Sequence, residues 1–276
     1  MITKSRNSAV PAFLFSWKPL ANIRAFTVLS GLNQFVHMES QSYSERHHPS
    51  LTAEQIRQEQ AAFMTQVYGW MSVALLITAT VSIWVASSPA ILELVFGNRI
   101  VFYGLLIGQV LMVMSLSAAI QRLSAQMATA LFIGYAIMNG LTLACIFLLY
   151  TGGSIASTFF VTAGTFGAMS AYGYFTKRDL TSLGGFLLMA LIGLIIASLV
   201  NLFWHNETLY WISTYAGVLI FVGLTAYDTQ KIKEMYAVGN AGTEEGRKVA
   251  VMGALRLYLD FINMFLYLLR LFGRRR

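Results

Sequence analysis

Between Gln60 and Lys177 the chain carries only three charged side chains, Glu93, Arg99 and Arg122. A water-soluble domain of that length would need a polar face on each surface helix or strand. A bundle facing lipid has no such need. Charged residues make up 11% of the whole chain, against roughly 25% in an ordinary soluble domain, and hydrophobic residues 57%. The composition therefore predicts an all-α integral membrane protein and excludes a soluble globular one.

About 20 apolar residues cross the hydrocarbon core as a helix. Seven stretches qualify: Val67 to Ser88, Ile100 to Ala119, Met127 to Tyr150, Ile155 to Phe175, Leu183 to Trp204, Leu209 to Tyr227, and Val249 to Phe272. The first stops before Pro89, and the seventh is interrupted by Arg256, Asp260 and Arg270. Trp70, Trp84, Tyr150, Trp204, Tyr210 and Trp211 fall near span ends, where amphipathic rings prefer to lie.

Loop charges orient these spans. Arg122 follows the second, Lys177 and Arg178 the fourth, and Lys231, Lys233, Arg247 and Lys248 the sixth. The alternate loops hold Glu93, the uncharged Thr151-Gly152-Gly153-Ser154, and Glu207, with Arg99 as the exception. Basic loops face the cytoplasm, which puts the N-terminus there too. Seven full crossings would then place Arg274, Arg275 and Arg276 outside, against the same rule. Full crossing of the last segment is the expectation, and a re-entrant helix the other possibility.

The net charge of +7 does not point to nucleic acid, because it lies in short loops and at the C-terminus, without a basic face interleaved with aromatics. Cys145 lies in an apolar run and reads as core packing. His37, His47, His48 and His205 lie outside or at the edge of the apolar runs, so no structural zinc site is expected.

Residues 1–60 read as a disordered cytoplasmic segment ahead of a transmembrane domain over 61–276. Phe13, Leu14, Phe15 and Trp17 form no run long enough to span, and Lys18, Pro19 and Arg24 break any signal-peptide pattern. Met38 reads as the natural start, with residues 1–37 an extension. The other reading makes them a loosely attached membrane-surface segment. Thr52 and Gln55 form a capping box ahead of a helix leading into the first span.

A faint echo links Asn139-Gly140-Leu141-Thr142 in the third span with Val222-Gly223-Leu224-Thr225 in the sixth. Two three-helix units in tandem would have opposite orientations, an inverted repeat. In the fourth span, Ala163, Gly164, Gly167, Ala168, Ser170, Ala171 and Gly173 suit close helix contact.

Asp228, at the end of the sixth span, and Asp260, inside the seventh, carry the chemistry. An ionised carboxylate at the bilayer centre costs at least about 2.5–3.5 kcal/mol, so Asp260 must face the protein interior or water and have a partner. Arg256 lies one turn before it and Asn263 one turn after, on one helical face. If the aspartates meet, they share a proton and titrate as a unit, able to bind a hard cation or act as a pH-sensitive latch. The blander reading is an Asp260–Arg256 salt bridge, with Asp228 capping a helix end near Lys231. Arg122 is either a latch partner in one conformation or a cytoplasmic anchor. No nucleophile elbow, intramembrane histidine pair, phosphate-binding loop or aspartic membrane protease pattern supports an enzyme.

Two segments, GLTAYDTQKIK (Gly223 to Lys233) and LYLDFINMFLYLLRLFG (Leu257 to Gly273), resemble the Bax inhibitor-1 family, in the manner of a bacterial inner-membrane member. The similarity covers about Ala61 to Arg276. It implies seven helices, with two three-helix layers around a central C-terminal helix. It also implies a pH-sensitive Ca2+ leak channel without a cofactor, latched by Asp228 and Asp260, with Arg122 where an engaging arginine can lie. Calcium would pass as cargo and protons would act on the latch. The family also includes stress-protective and anti-apoptotic proteins and bacterial members that modulate a membrane-bound protease. A regulatory protein acting through such a partner is therefore the alternative.

Overall fold

The computed structural model describes residues 52–236 and 242–276. The expectations for residues 1–51, including the Met38 start, lie outside the described residues. Within them lie seven long helices: α1 (Ala53–Ser87), α2 (Arg99–Ala119), α3 (Ala125–Leu149), α4 (Gly152–Phe175), α5 (Thr181–Trp204), α6 (Glu207–Glu234) and α7 (Glu244–Phe272).

Local signals set the helix starts. The Gln55 backbone N–H donates to Thr52 Oγ1 at 3.3 Å while the Thr52 N–H donates to Gln55 Oε1 at 2.8 Å, which is the expected capping box. Asn98 Oδ1 accepts the Ile100 N–H at 2.9 Å and opens α2. Pro89 has no N–H to continue α1 and instead starts the short turn Pro89–Leu92, followed by a π-helical turn, Glu93–Gly97.

Six of the seven long helices are long and apolar enough to cross a membrane. The one that falls short of the expected seven is α4. Its 24 residues reach about 36 Å, enough to span, but glycine, serine and threonine dilute its apolar character.

Helices α1 and α2 both pack on α3, and α4 and α5 both pack on α6, so each three-helix unit is built on its third helix. Between them lies α7, in contact with α1, α3, α4 and α6. Every residue of α7 from Val249 to Leu269 is buried, whereas α5 exposes Phe186, Met189, Ile192, Ile196 and Phe203. A central helix shielded from lipid can carry Arg256 and Asp260, which a lipid-facing helix could not.

Contacts at both ends of the bundle show that α7 crosses it completely. At one face Glu244 Oε1 accepts the Ala125 N–H at 3.1 Å, where α3 begins. At the other, the Thr151 N–H donates to the Arg274 carbonyl and the Arg276 N–H to the Leu149 carbonyl, both at 3.0 Å, where α3 ends. Within the bundle α7 thus runs from one end to the other, as full crossing expects. The same contacts sort the junctions into two faces. Gln60 donates to the Lys233 carbonyl at 3.1 Å and Lys233 to the Tyr174 carbonyl at 2.9 Å, bringing together the start of α1 and the ends of α4 and α6.

The small-residue stripe on α4 serves contact at only part of its length. A Cβ on Gly173 would lie 2.2 Å from the Ala226 carbonyl oxygen, so the α4 and α6 backbones touch there. Nothing lies within 4 Å of a Cβ built on Gly164 or Gly167.

Candidate functional site

The polar residues of Ala226-Tyr227-Asp228-Thr229-Gln230-Lys231 leave α6 in different directions, and each meets a different element. Gln230 accepts the Leu180 N–H and donates to the Arg178 carbonyl, both at 2.8 Å, which pins the α4–α5 junction to α6. Thr229 Oγ1 bonds Ser170 of α4 at 2.9 Å, and Ser170 in turn bonds the Tyr68 hydroxyl of α1. Lys231 pairs with Glu234 at 2.7 Å. Asp228 points to α7.

Asp228 is 3% exposed and Asp260 is fully buried. Their carboxyl groups lie close enough to act on each other, with the Arg256 guanidinium acting on both, and neither Asp260 oxygen has a hydrogen-bond partner among the described residues. No ion pair within 4.0 Å joins Arg256 to either aspartate among the described residues, and Arg256 Nη2 has no hydrogen-bond partner among them. The direct Asp260–Arg256 salt bridge of the blander reading is therefore not formed among the described residues. Lys231 is paired with Glu234, Arg256 acts on both carboxyls without an ion pair to either, and Asp228 sits six residues inside the end of α6.

Two facing carboxyl groups in a buried site repel each other when both are ionised. Either they hold a proton between them or a cation joins them. An unmet polar group in such a place costs about 1–3 kcal/mol, so native proteins keep few of them.

Asn263, expected as a partner of the pair, donates its Nδ2 to the Leu259 carbonyl of its own helix at 2.8 Å. Arg122 is exposed in the turn after α2 and is not brought to the aspartates in this conformation. Among the described residues no group of three or more His, Cys, Asp or Glu side chains is placed to hold a metal.

A second polar cluster escaped the sequence reading. The Tyr258 hydroxyl lies 2.8 Å from Thr78 Oγ1 of α1 and accepts from Asn139 Nδ2 of α3. Thr78 also donates to the Ala136 carbonyl at 2.9 Å. Tyr258 stands two residues before Asp260, so α7 is tied to the first unit by one face and offers its carboxylate to the second by another. The only available signal was polar residues inside apolar runs, and that signal cannot say which helix answers which.

The fold and site define a multi-span, all-α membrane protein with a carboxyl pair between its last two helices. Residues 60–276 match the family described as Inhibitor of apoptosis-promoting Bax1, and the chain belongs to this Bax inhibitor-1 family. It is 57% identical over 215 residues to the Inner membrane protein YbhL of Escherichia coli K12, covering 78% of this chain and 92% of that one. An uncharacterized protein of Borreliella burgdorferi is 46% identical over 214 residues, with the same coverage of 78% and 92%. An uncharacterized membrane protein of Streptococcus pyogenes serotype M3 is 38% identical over 184 residues, covering 67% of this chain and 79% of that one.

Proposed function

We propose that the protein is a non-enzymatic cation conduit of the bacterial inner membrane, with Ca2+ as cargo and the Asp228–Asp260 pair as its pH-sensitive latch. The observation that carries this reading is that two buried carboxyl groups face each other from adjacent helices, with no ion pair to either among the described residues. The inner-membrane location rests on the similarity to YbhL, and the cytoplasmic N-terminus on the basic loops.

In this reading a proton held between the carboxyls joins α6 to α7 and keeps the seam shut. Loss of that proton leaves two like charges in contact, which repel and favour parting of the helices. The separated carboxylates then present hard oxygen ligands to a passing ion. Calcium takes six to eight oxygens, more than the pair offers, so the pair is a way-station rather than a resident metal site. Arg256, near both carboxyls, moderates their repulsion.

The experiment is calcium flux into liposomes containing only the purified protein. The conduit reading expects uptake above that of protein-free vesicles, and uptake should change with pH. No uptake at any pH between 5 and 8 would favour the alternative, a regulatory protein that works through a partner such as a membrane-bound protease.

A further inference from the structure

The carboxyl pair is one level of a longer polar stripe on α7. With 100° between successive residues, positions 260, 263 and 267 fall within about 60° of one another on the helix. That face lies against α6. Tyr267 stacks on Phe221 with ring centroids 5.9 Å apart, and a Cβ on Gly217 would come within 2.5 Å of the Tyr267 ring.

Asn263 is 1% exposed and Tyr267 fully buried, yet Asn263 Oδ1 and the Tyr267 hydroxyl have no hydrogen-bond partner among the described residues. Because the Asn263 Nδ2 is already bonded to the Leu259 carbonyl, its Oδ1 is turned away from that bond. Leucine and phenylalanine would fill the same space without burying an unmet oxygen. Two such oxygens, beyond the pair on the same seam, need a reason other than packing. The stripe ends at Arg270, whose guanidinium lies 5.2 Å from the Tyr210 ring centre and 5.1 Å from that of Tyr267. From Asp260 to Arg270 the helix rises about 15 Å, half of the hydrocarbon core.

We propose that Asn263 and Tyr267 form an oxygen-lined leg of the cation path, running along the α6–α7 seam from the aspartate pair to the α3–α4 face. The leg rests on the conduit reading above and adds residues that determine how readily a partly dehydrated cation passes. Asn263 Oδ1 and the Tyr267 hydroxyl oxygen replace part of the ion's water, in the way that oxygen rings do in ion filters. Arg270 stands at the outer end.

The test has two arms. In liposomes, Asn263→Leu and Tyr267→Phe should each lower calcium flux about fivefold, the factor carried by the loss of one such oxygen contact. In a Cys145→Ala background, Asn263→Cys should react with a water-soluble methanethiosulfonate reagent under conducting conditions, whereas Ile262→Cys, off the stripe, should not. Tyr267→Phe removes a single oxygen, so it stands as the test if the Asn263 variants fail to fold. Unchanged flux in the folded variants, or labelling at 263 no faster than at 262, overturns the leg. If Asp228→Asn and Asp260→Asn still alter flux in the same preparation, the conduit survives and only the leg falls. If those two also leave flux unchanged, both readings fall.

Discussion

Tyr258 and Asp260 are neighbours in sequence with opposite duties. The tyrosine holds α7 to α1 and α3 through Thr78 and Asn139, while the aspartate faces Asp228 on α6. Tyr258→Phe should therefore destabilise the protein by about 1–3 kcal/mol, the cost of breaking up a buried hydroxyl network. A lowered midpoint of thermal unfolding in detergent would register it, with the pH profile of flux unchanged. A flattened pH profile in that variant would mean that the two faces of α7 are not independent. The aspartates were legible in the sequence because an ionisable group in an apolar run demands an explanation. The Tyr68–Ser170–Thr229 chain was not, because hydroxyls are tolerated in spans and reveal nothing of their partners. Arg122 stands out by its charge and by the family resemblance, and it lies exposed in its turn.

Among the elements, α4 departs most from its expected part. Of the glycines in its stripe of small residues, Gly173 meets a backbone, at 2.2 Å for an added Cβ, while Gly164 and Gly167 face open space. Gly173→Ala should cost about 1–3 kcal/mol by overpacking, seen as a lower unfolding midpoint, and Gly164→Ala should leave that midpoint unchanged. Equal effects would contradict the α4–α6 contact. The start of α5 offers a pH test outside the spans. Thr181 donates its backbone N–H to Asp179 Oδ1 at 2.8 Å, and bonds from Thr181 hold this carboxyl below its ordinary pKa. A depressed carboxyl contributes stability above its unfolded pKa, and the contribution is lost as pH falls through the folded one. Acid unfolding curves of wild type and Asp179→Asn should therefore differ near neutrality and converge in acid. Curves that stay parallel down to the lowest pH would refute this role. Helix boundaries followed apolar length to within a few residues except at the starts of α1 and α7 and the end of α6, whose polar ends continue as helix past the expected span.

For the whole molecule, the near absence of charge between Gln60 and Lys177 was enough to give the class, and the positions of seven long helices followed from apolar length. What apolar length could not give was the order of packing, because nearly every helix is apolar all round. The centrality of α7 was available only through the family resemblance and now rests on the unbroken burial of Val249 to Leu269. The tail pairing at Leu149 to Thr151 puts the C-terminus on the α3–α4 face. Reporters fused after Arg276 and at Gly152 should therefore agree with each other and oppose one fused after Lys177. A reporter after Arg276 that agreed with Lys177 would contradict full crossing by α7. The claim on which the functional account turns is that the two carboxyls control ion passage as a pair, and replacing either carboxyl by an amide tests it most directly. Asp228→Asn and Asp260→Asn keep the side-chain shape while removing one titrating group. The measurement is calcium flux in liposomes across pH 5 to 8, the interval in which physiological switching falls. The account predicts altered flux and a flattened pH profile in each variant. Wild-type flux with an unchanged pH profile in both would contradict it.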